Sequence, residues 1–353
     1  MGPLRFQSLI AKFGSATLAL EAGVENWREV PSFDPDLVSR LKEQMNGAQR
    51  EAEEDWESLA SGKVSVKIWQ SDDYPRLLRH ISSAPPVLYF KGEDISVDRP
   101  AVAIVGSRQC TYYGQTMAKI LSRDLAEAGV TTVSGLARGI DSCVHNASLE
   151  SSGRTWAVIG SGLNCLYPPE NKRLAEMIEK KGGAVISEFP LRTKPLPPHF
   201  PRRNRIIAGL SLGTVVIEGS AKSGSLITAR LAAEEGRDVF AVPGPVTSPL
   251  SAAPHRLIRM GAKMVERAED IFEEFPEEIQ RQLIGKSKLA QQIQSHFPQA
   301  HLEVLALLGG SPVPREILNA QIKMASGDLS ALLLTMELQG LIATLPGGLL
   351  VKK

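Results

Sequence analysis

Residues 101–114 read AVAIVGSRQCTYYG. Five apolar residues run into Gly106, then come Ser107 and Arg108, and a helix-like stretch opens near Tyr112. A short β-branched run closed by glycine has the form of a strand buried on both faces. Amides at a helix N-terminus, joined by a hydroxyl and a guanidinium, make a phosphate seat. The alternative for this loop alone is a plain strand-to-helix turn with a solvated arginine.

The same signal returns along the chain in TTVSG (131–135), TWAVIG (155–160), AVISE (184–188), TVVIEG (214–219) and DVFAVPG (238–244). Between the first two strands, Met117, Ile120, Leu121, Leu125 and Ala128 are spaced as one helical stripe. Alternation of this kind predicts an α/β doubly wound parallel sheet with right-handed crossovers. Ligands of such sheets bind beyond the carboxyl ends of the strands, so the loops there are where chemistry is sought.

Outside this region the pattern changes. Residues 1–62 read as a separate helical module, with Leu4, Leu9, Ile10 and Phe13 at helical spacing and Gly14 as a C-cap. The acidic run EAEEDWE (51–57) reads as a solvated helix face. The sheet domain spans 63–275, a glutamine-rich helical linker 276–297, and a tail domain 298–353. In the tail, three amphipathic segments precede LIATL and LLVKK, joined by Pro346-Gly347-Gly348, which is the winged-helix order.

Composition bounds the function. The chain has 353 residues, 43 % hydrophobic and 22 % charged, with net charge +1. It can therefore hold two or three domains, and any polyanion site must be a local patch. Cys110, Cys143 and Cys165 lack metal-ligand spacing and are expected as buried free thiols. No signal peptide or membrane-length apolar run is present, which points to the cytosol.

Cofactor readings weaken at the same loops. A dinucleotide fingerprint requires G-x-G-x-x-G after the first strand and an acid after the next; Gly106 is followed by Ser107-Arg108, and the next strand ends in Ser134-Gly135. GSAKSGSL (219–226) nears a Walker A loop but carries Ser225 where lysine is required. No residue cluster has metal-site spacing, so neither cofactor nor metal is expected, and no catalytic set stands out.

Four further strand-end loops carry polar chemistry. SGLARGIDSCVH (134–145) places Asp141 at a helix start with His145 one turn on; a capping carboxylate beside a hydrogen-bonded histidine and a functional pair are both open. GSGLNCLYPPENKRL (160–174) is a proline-closed loop before Lys172 and Arg173. SEFPLRTKPLPPHFPRRNRIIAGLS (187–211) is stiffened by five prolines, which lowers the entropic cost of holding long basic side chains. EGSAKSGSLITAR (218–230) offers Lys222, Ser223, Gly224 and Ser225 before a helix, a second anion seat. From 192 to 230, seven basic residues face one acid, Glu218. A single phosphate needs one seat; several in a row suit a polyanion. Phe200 is either a stacking face for an unpaired base or a plug beneath the loop. Of Arg202, Arg203 and Arg205, one is expected to brace loop carbonyls; Arg202 and Arg205 are expected in the groove.

These motifs, in this order, resemble the DNA processing protein A family (DprA, also called Smf) over about residues 64–270. The resemblance implies an extended Rossmann-like sheet, flanked by an N-terminal SAM-type, helix-hairpin-helix-like module that begins midway and by the C-terminal winged helix. It also implies a dimeric single-stranded DNA binder that protects incoming strands and loads the RecA recombinase in natural transformation. The implied site comprises Gly106, Ser107 and Arg108, the segment from Lys194 through Phe200, Arg202, Asn204 and Arg205, and Lys222, Ser223, Gly224 and Ser225.

Two departures stand out. Ala253 and His255 occupy positions where the family carries glycine and asparagine, which weakens a ligand role for that loop. The tail segment DLSALLLTMEL (328–338) contains no lysine or arginine, unlike a helix that reads the major groove. Its expected role is binding protein or packing on its own chain. The competing reading is a nucleotide-processing enzyme resembling phosphoribohydrolases; the glutamate expected after the glycine loop is missing, and Glu218 precedes it. A duplex-specific regulator using the winged helix is a third.

Overall fold

The computed structural model describes residues 2–96, 99–281, 283, 299–308, 313–322, 324–338, 341–345 and 348–352. Packing divides the chain into two units, Met1–Leu283 and Ile284–Lys353.

The first unit begins with α1 (Pro3–Phe13), α2 (Ala16–Glu21) and the long α3 (Pro35–Ala60). Gly14 ends α1 at φ 86°, a conformation glycine adopts without a Cβ clash, and its N–H returns to the Ile10 carbonyl. Leu9, Trp27, Val30, Phe33 and Val38 form a small core of their own. Leu4 departs from the expected stripe and stays in solvent at 60 % exposure. Asp34 caps α3 by accepting from Leu37 N–H at 2.8 Å. The acidic run lies in α3 and is solvated except at Asp55, which is buried and accepts the Leu191 N–H at 3.1 Å. That departure ties the helical module to the proline-rich loop.

The sheet has nine strands: β1 (Ser65–Ile68), β2 (Val87–Gly92), β3 (Ala101–Val105), β4 (Thr131–Ser134), β5 (Thr155–Val158), β6 (Ala184–Ser187), β7 (Gly213–Val216), β8 (Asp238–Ala241) and β9 (Lys263–Met264). Their order is β1-β2-β6-β5-β4-β3-β7-β8-β9. From β6 to β9 every pair is parallel, and each of the six expected strands is found. The all-parallel expectation fails at one edge, where β2 runs antiparallel to β6 and β1 antiparallel to β2. Antiparallel edge strands need no crossover helix, so they left no alternating signal in the sequence.

Helices α4 (Arg76–Arg79), α5 (Tyr112–Glu127), α6 (Ile140–Glu150), α7 (Lys172–Lys180), α8 (His199–Gly209), α9 (Ser225–Glu234) and α10 (Ala252–Arg259) are distributed along the sheet. Two cores result. Val102 and Ile104 point with α5 and α6 into one, while Ala101, Ala103 and Val105 point with Ile206 and Ile207 of α8 into the other. Each fully buried branched side chain contributes ~1.5–3 kcal/mol, so a strand apolar on both faces is secured on both. On α5 the buried stripe is Ala118, Leu121, Leu125 and Ala128, with Met117 and Ile120 only half-buried.

Strand order reverses between β3 and β7: β3, β4, β5 and β6 step one way across the sheet and β7, β8 and β9 step the other. The loops after β3 and β7 therefore leave in opposite directions and open a crevice at their carboxyl ends.

The second unit holds helices Gln299–Leu307, Arg315–Gln321 and Ser326–Leu338 and a three-stranded antiparallel sheet ordered Val313–Pro314, Leu349–Lys352, Ile342–Leu345. Val304, Leu318, Leu329, Leu333 and Met336 are buried in its core. This is the expected winged-helix architecture. Of the expected linker, residues 276–281 and 283 are described and the others lie outside the described residues, as do Pro346 and Gly347 of the hairpin turn.

Candidate nucleic-acid interface

The crevice between the β3 and β7 ends is a cleft of about 880 Å³. Its first wall is the loop after β3. Gly106 has no room for a side chain, since a Cβ there would lie 2.6 Å from Ile140 and 3.1 Å from the Glu218 carbonyl. The Ser107 carbonyl accepts the Ile140 N–H at 3.1 Å, and the Ser107 hydroxyl accepts the Gln109 N–H at 3.1 Å. Gly139, at φ 74°, brings α6 against this loop; a Cβ there would meet the Ser107 carbonyl oxygen at 2.3 Å.

Glu218, at the end of β7, fixes the same loop from the other half of the sheet. Its buried carboxylate accepts the Thr111 N–H at 2.8 Å and the Thr111 hydroxyl at 2.5 Å, and Thr111 in turn caps α5. Gly114 makes room for it, because a Cβ would sit 2.3 Å from the carboxylate. The acid that precedes the glycine loop is thus held as a clip across the switch point.

The opposite wall corrects the reading of residues 194–205. HFPRRNRIIAG is not loop but the helix α8, starting at His199. Its 3.6-residue period sorts the side chains: Phe200, Arg203, Asn204 and Ile207 line the cleft, at the i, i+3, i+4 and i+7 positions of one face. Arg202 and Arg205, three apart, project elsewhere, onto the buried carboxylate of Glu188 at 3.0 and 2.5 Å. Neither of these two, expected in the groove, lines this cleft. Arg205 is buried, while Arg202 keeps 43 % exposure and lies 5.3 Å from the Phe189 ring centroid. Asn204 Nδ2 reaches the Gly224 carbonyl at 3.5 Å.

Arg203 faces the cleft and is buried. It donates through one terminal nitrogen to the Gly135 carbonyl at 2.7 Å and to the Val158 carbonyl, while its Nε has no acceptor among the described residues. Burial, with the positive charge of Arg108 adding to it, pushes its pKa down to about 10 against the pull of Asp141. Asp141 accepts the Gly135 and Ala137 N–H groups at 3.1 and 3.3 Å, and burial raises its pKa. His145 does not pair with Asp141. Its Nδ1 meets the Thr155 hydroxyl at 2.7 Å, and burial drives its pKa down to about 3.

Over the cleft the Arg108 guanidinium lies 5.6 Å from the Phe200 ring centroid, within cation–π range. Tyr167, which the sequence reading did not single out, tilts against Phe200 at 5.7 Å. Its position in the YPP turn was the available signal. Arg138 beside it is held by Glu170. The remaining wall is the start of α9, where the Ser223 and Ser225 hydroxyls are 2.8 Å apart and Gly224 is exposed.

The structure thus gathers Gly106, Ser107, Arg108, Phe200, Asn204, Ser223, Gly224 and Ser225 into one cleft. Lys194 and Lys222 are exposed and lie outside its lining. Ala253 and His255 also lie outside it: the Ala253 N–H bonds to Gly219 and His255 contacts the Gly244 carbonyl. Among the described residues no group of three or more His, Cys, Asp or Glu side chains could hold a metal ion. The cysteines are half-buried rather than buried; Cys165 donates to the Arg192 carbonyl at 3.3 Å.

Chemically the cleft offers serine hydroxyls and loop amides for phosphate oxygens, the two guanidinium groups of Arg108 and Arg203, and an aromatic face.

Comparison with known proteins agrees. The family described as DNA recombination-mediator protein A matches residues 65–276, and the DprA winged helix domain matches residues 290–348. Protein Smf of Escherichia coli K12 is 40% identical over 285 residues, covering 79% of this chain and 75% of its own. DNA processing protein A of Streptococcus pneumoniae superposes with a TM-score of 0.68 at 36% identity, over 78% of this chain and 93% of that one. A Helicobacter pylori DNA processing protein A, reported for its unique single-stranded DNA binding mode, gives 0.54 at 26% identity over 59% and 94%. This chain, with its Rossmann-like sheet and winged helix, belongs to the DNA recombination-mediator protein A (DprA/Smf) family.

Proposed function

We propose that the cleft binds single-stranded DNA, and that the protein uses it to protect incoming strands and to load the RecA recombinase during DNA uptake. It acts as a cytoplasmic homodimer. The observation that carries the reading is the presence of two guanidiniums, Arg108 and Arg203, with the Phe200 ring in one crevice. A phosphodiester is attracted to the two cations, and an unpaired base stacks on the ring for about 1–3 kcal/mol. A duplex keeps its bases inside the helix and cannot use the aromatic face. The single-strand binding named for the Helicobacter pylori relative supports the reading.

The role is non-enzymatic. The glutamate that the hydrolase reading requires after the glycine loop is missing, and Glu218, which precedes that loop, is committed to Thr111. Lys194 and Lys222 contribute as phosphate contacts along the strand beyond the cleft. The tail domain, whose third helix lacks basic residues, contacts protein or packs on its own chain rather than reading duplex.

The test is a titration of labelled single strand against duplex of the same sequence at two salt concentrations. Single-strand affinity should fall with salt at a log–log slope of about −0.7 per phosphate neutralised. Equal affinity for duplex, or no salt dependence, would refute the reading. Release of free base from nucleoside monophosphates would favour the enzyme instead.

A further inference from the structure

A third arginine lines the cleft and is already engaged. Arg138 stands in the lining with Ala137 and Tyr167, its side chain 52 % exposed. Its Nε donates to the carboxylate of Glu170, an exposed residue that is not part of the lining.

The backbone on both sides of Arg138 is fixed. Leu136 is fully buried and takes φ 56°, a left-handed conformation that a branched side chain adopts only under constraint. The Asn171 amide donates to the Leu136 carbonyl at 2.8 Å and to the Ser142 hydroxyl at 2.9 Å. That hydroxyl donates to the Ala137 carbonyl at 2.7 Å, and Asp141 receives the Ala137 N–H at 3.3 Å. Asn171 thus joins the two loops next to Glu170 without help from the ion pair. An exposed pair adds little stability to such a joint. A fixed backbone that carries an exposed cation does lower the entropic cost of that cation's next contact.

We propose that Arg138 is a further phosphate-contacting residue, and that Glu170 holds it in the free protein as an internal competitor which the strand displaces. The proposal rests on the single-strand reading above and adds to it a residue and a means of setting affinity. A carboxylate and a phosphodiester each carry one negative charge and present two oxygens to a guanidinium fork, so either can take the same donors. The exchange is cheap because both partners of the pair are solvated. It also reverses: as the strand leaves, Glu170 recovers the arginine. Affinity is thereby kept below what the cations of the cleft would otherwise give, which suits a protein that hands its strand on.

The experiment is a double-mutant cycle on the full chain. The parent, Arg138→Gln, Glu170→Gln and the double variant are titrated with a labelled oligo-dT strand at two salt concentrations. Arg138→Gln should weaken binding about fivefold, a charge-assisted contact less the ion pair it replaces. The same variant should lower the salt slope by about 0.7, one phosphate. Glu170→Gln should tighten binding about threefold, the scale of a solvated pair. The double variant should bind as Arg138→Gln does, since without its cation the carboxylate has nothing to compete for. Tightening that persists in full in the double variant makes Glu170 a plain repulsive charge and overturns the competition. Unchanged or weaker binding in Glu170→Gln overturns it too, and parental affinity in Arg138→Gln removes Arg138 from the interface. A parent that binds no single strand refutes the single-strand reading, and the proposal falls with it. A parent that binds while the cycle is additive loses the proposal alone.

Discussion

Arg203 and Arg205 stand two residues apart in one helix, both buried, and serve opposite regions of the molecule. Arg203 faces the crevice, bridges the ends of β4 and β5 through the Gly135 and Val158 carbonyls, and keeps an N–H without an acceptor among the described residues. Arg205 faces away and is neutralised by Glu188. Identical side chains thus differ in what they face. Each keeps one buried N–H with no acceptor among the described residues, Nε of Arg203 and an Nη of Arg205, but one cation is held by carbonyls at the crevice and the other is paired with a carboxylate away from it. What separates them is helical phase, a turn of about 200° over two residues.

The comparison breaks most easily at Arg203. Arg203→Met leaves Asp141 buried without its cation and two carbonyls without a donor, so stability should fall by about 3–5 kcal/mol. Urea unfolding measures it; a loss under 1 kcal/mol (roughly the surface-pair range) would mean that Arg203 does not brace the loops. Arg205→Met should cost less, about 1–3 kcal/mol, because Arg202 still reaches Glu188. Single-strand affinity measured below the melting range should stay near that of the parent, and a large drop would place Arg205 in the groove after all.

His145 sharpens the contrast by pH, since it sits beneath the crevice and is held neutral. Its folded pKa, about 3, lies below the ordinary 6.5, so the unfolded chain takes up a proton that the folded one refuses. Stability is present in full above pH 6.5 and is lost on acidification below it, at up to about 1.4 kcal/mol per pH unit. Thermal midpoints should fall from pH 6.5 to about 5.5 in the parent and less steeply in His145→Gln; parallel slopes would refute the assignment. The smallest effect is expected outside the cleft. Lys194→Ala or Lys222→Ala should lower affinity by no more than about 1 kcal/mol and reduce the salt slope by about 0.7 each.

The sequence displayed the sheet well and the helix beside it poorly. AVAIVG and its five counterparts were legible because strands buried on both faces read as unbroken apolar runs. β1 and β2 were not, since short antiparallel edge strands lack that signature. Residues 199–209 were masked by the prolines around them, which suggested a loop; with the element misread, the arginines could be counted but not phased. The serine seats and Phe200 came through because their chemistry does not depend on phase. Tyr167 and the Glu218 clip did not, for each matters through a contact with a residue far away in sequence: Phe200 for one, Thr111 for the other.

Asp55 carries a consequence of a different kind. Its carboxylate receives the Leu191 N–H, and neighbouring Glu54 pairs with Arg192 at 2.7 Å. The N-terminal helices therefore shape the segment leading into α8, although they supply nothing to the cleft. For protein engineering, the unit of exchange is the helical module together with residues 188–198. A chimera that takes its first helices from one relative and this segment from another would inherit an ill-matched joint, and the fault would surface as a misplaced Phe200.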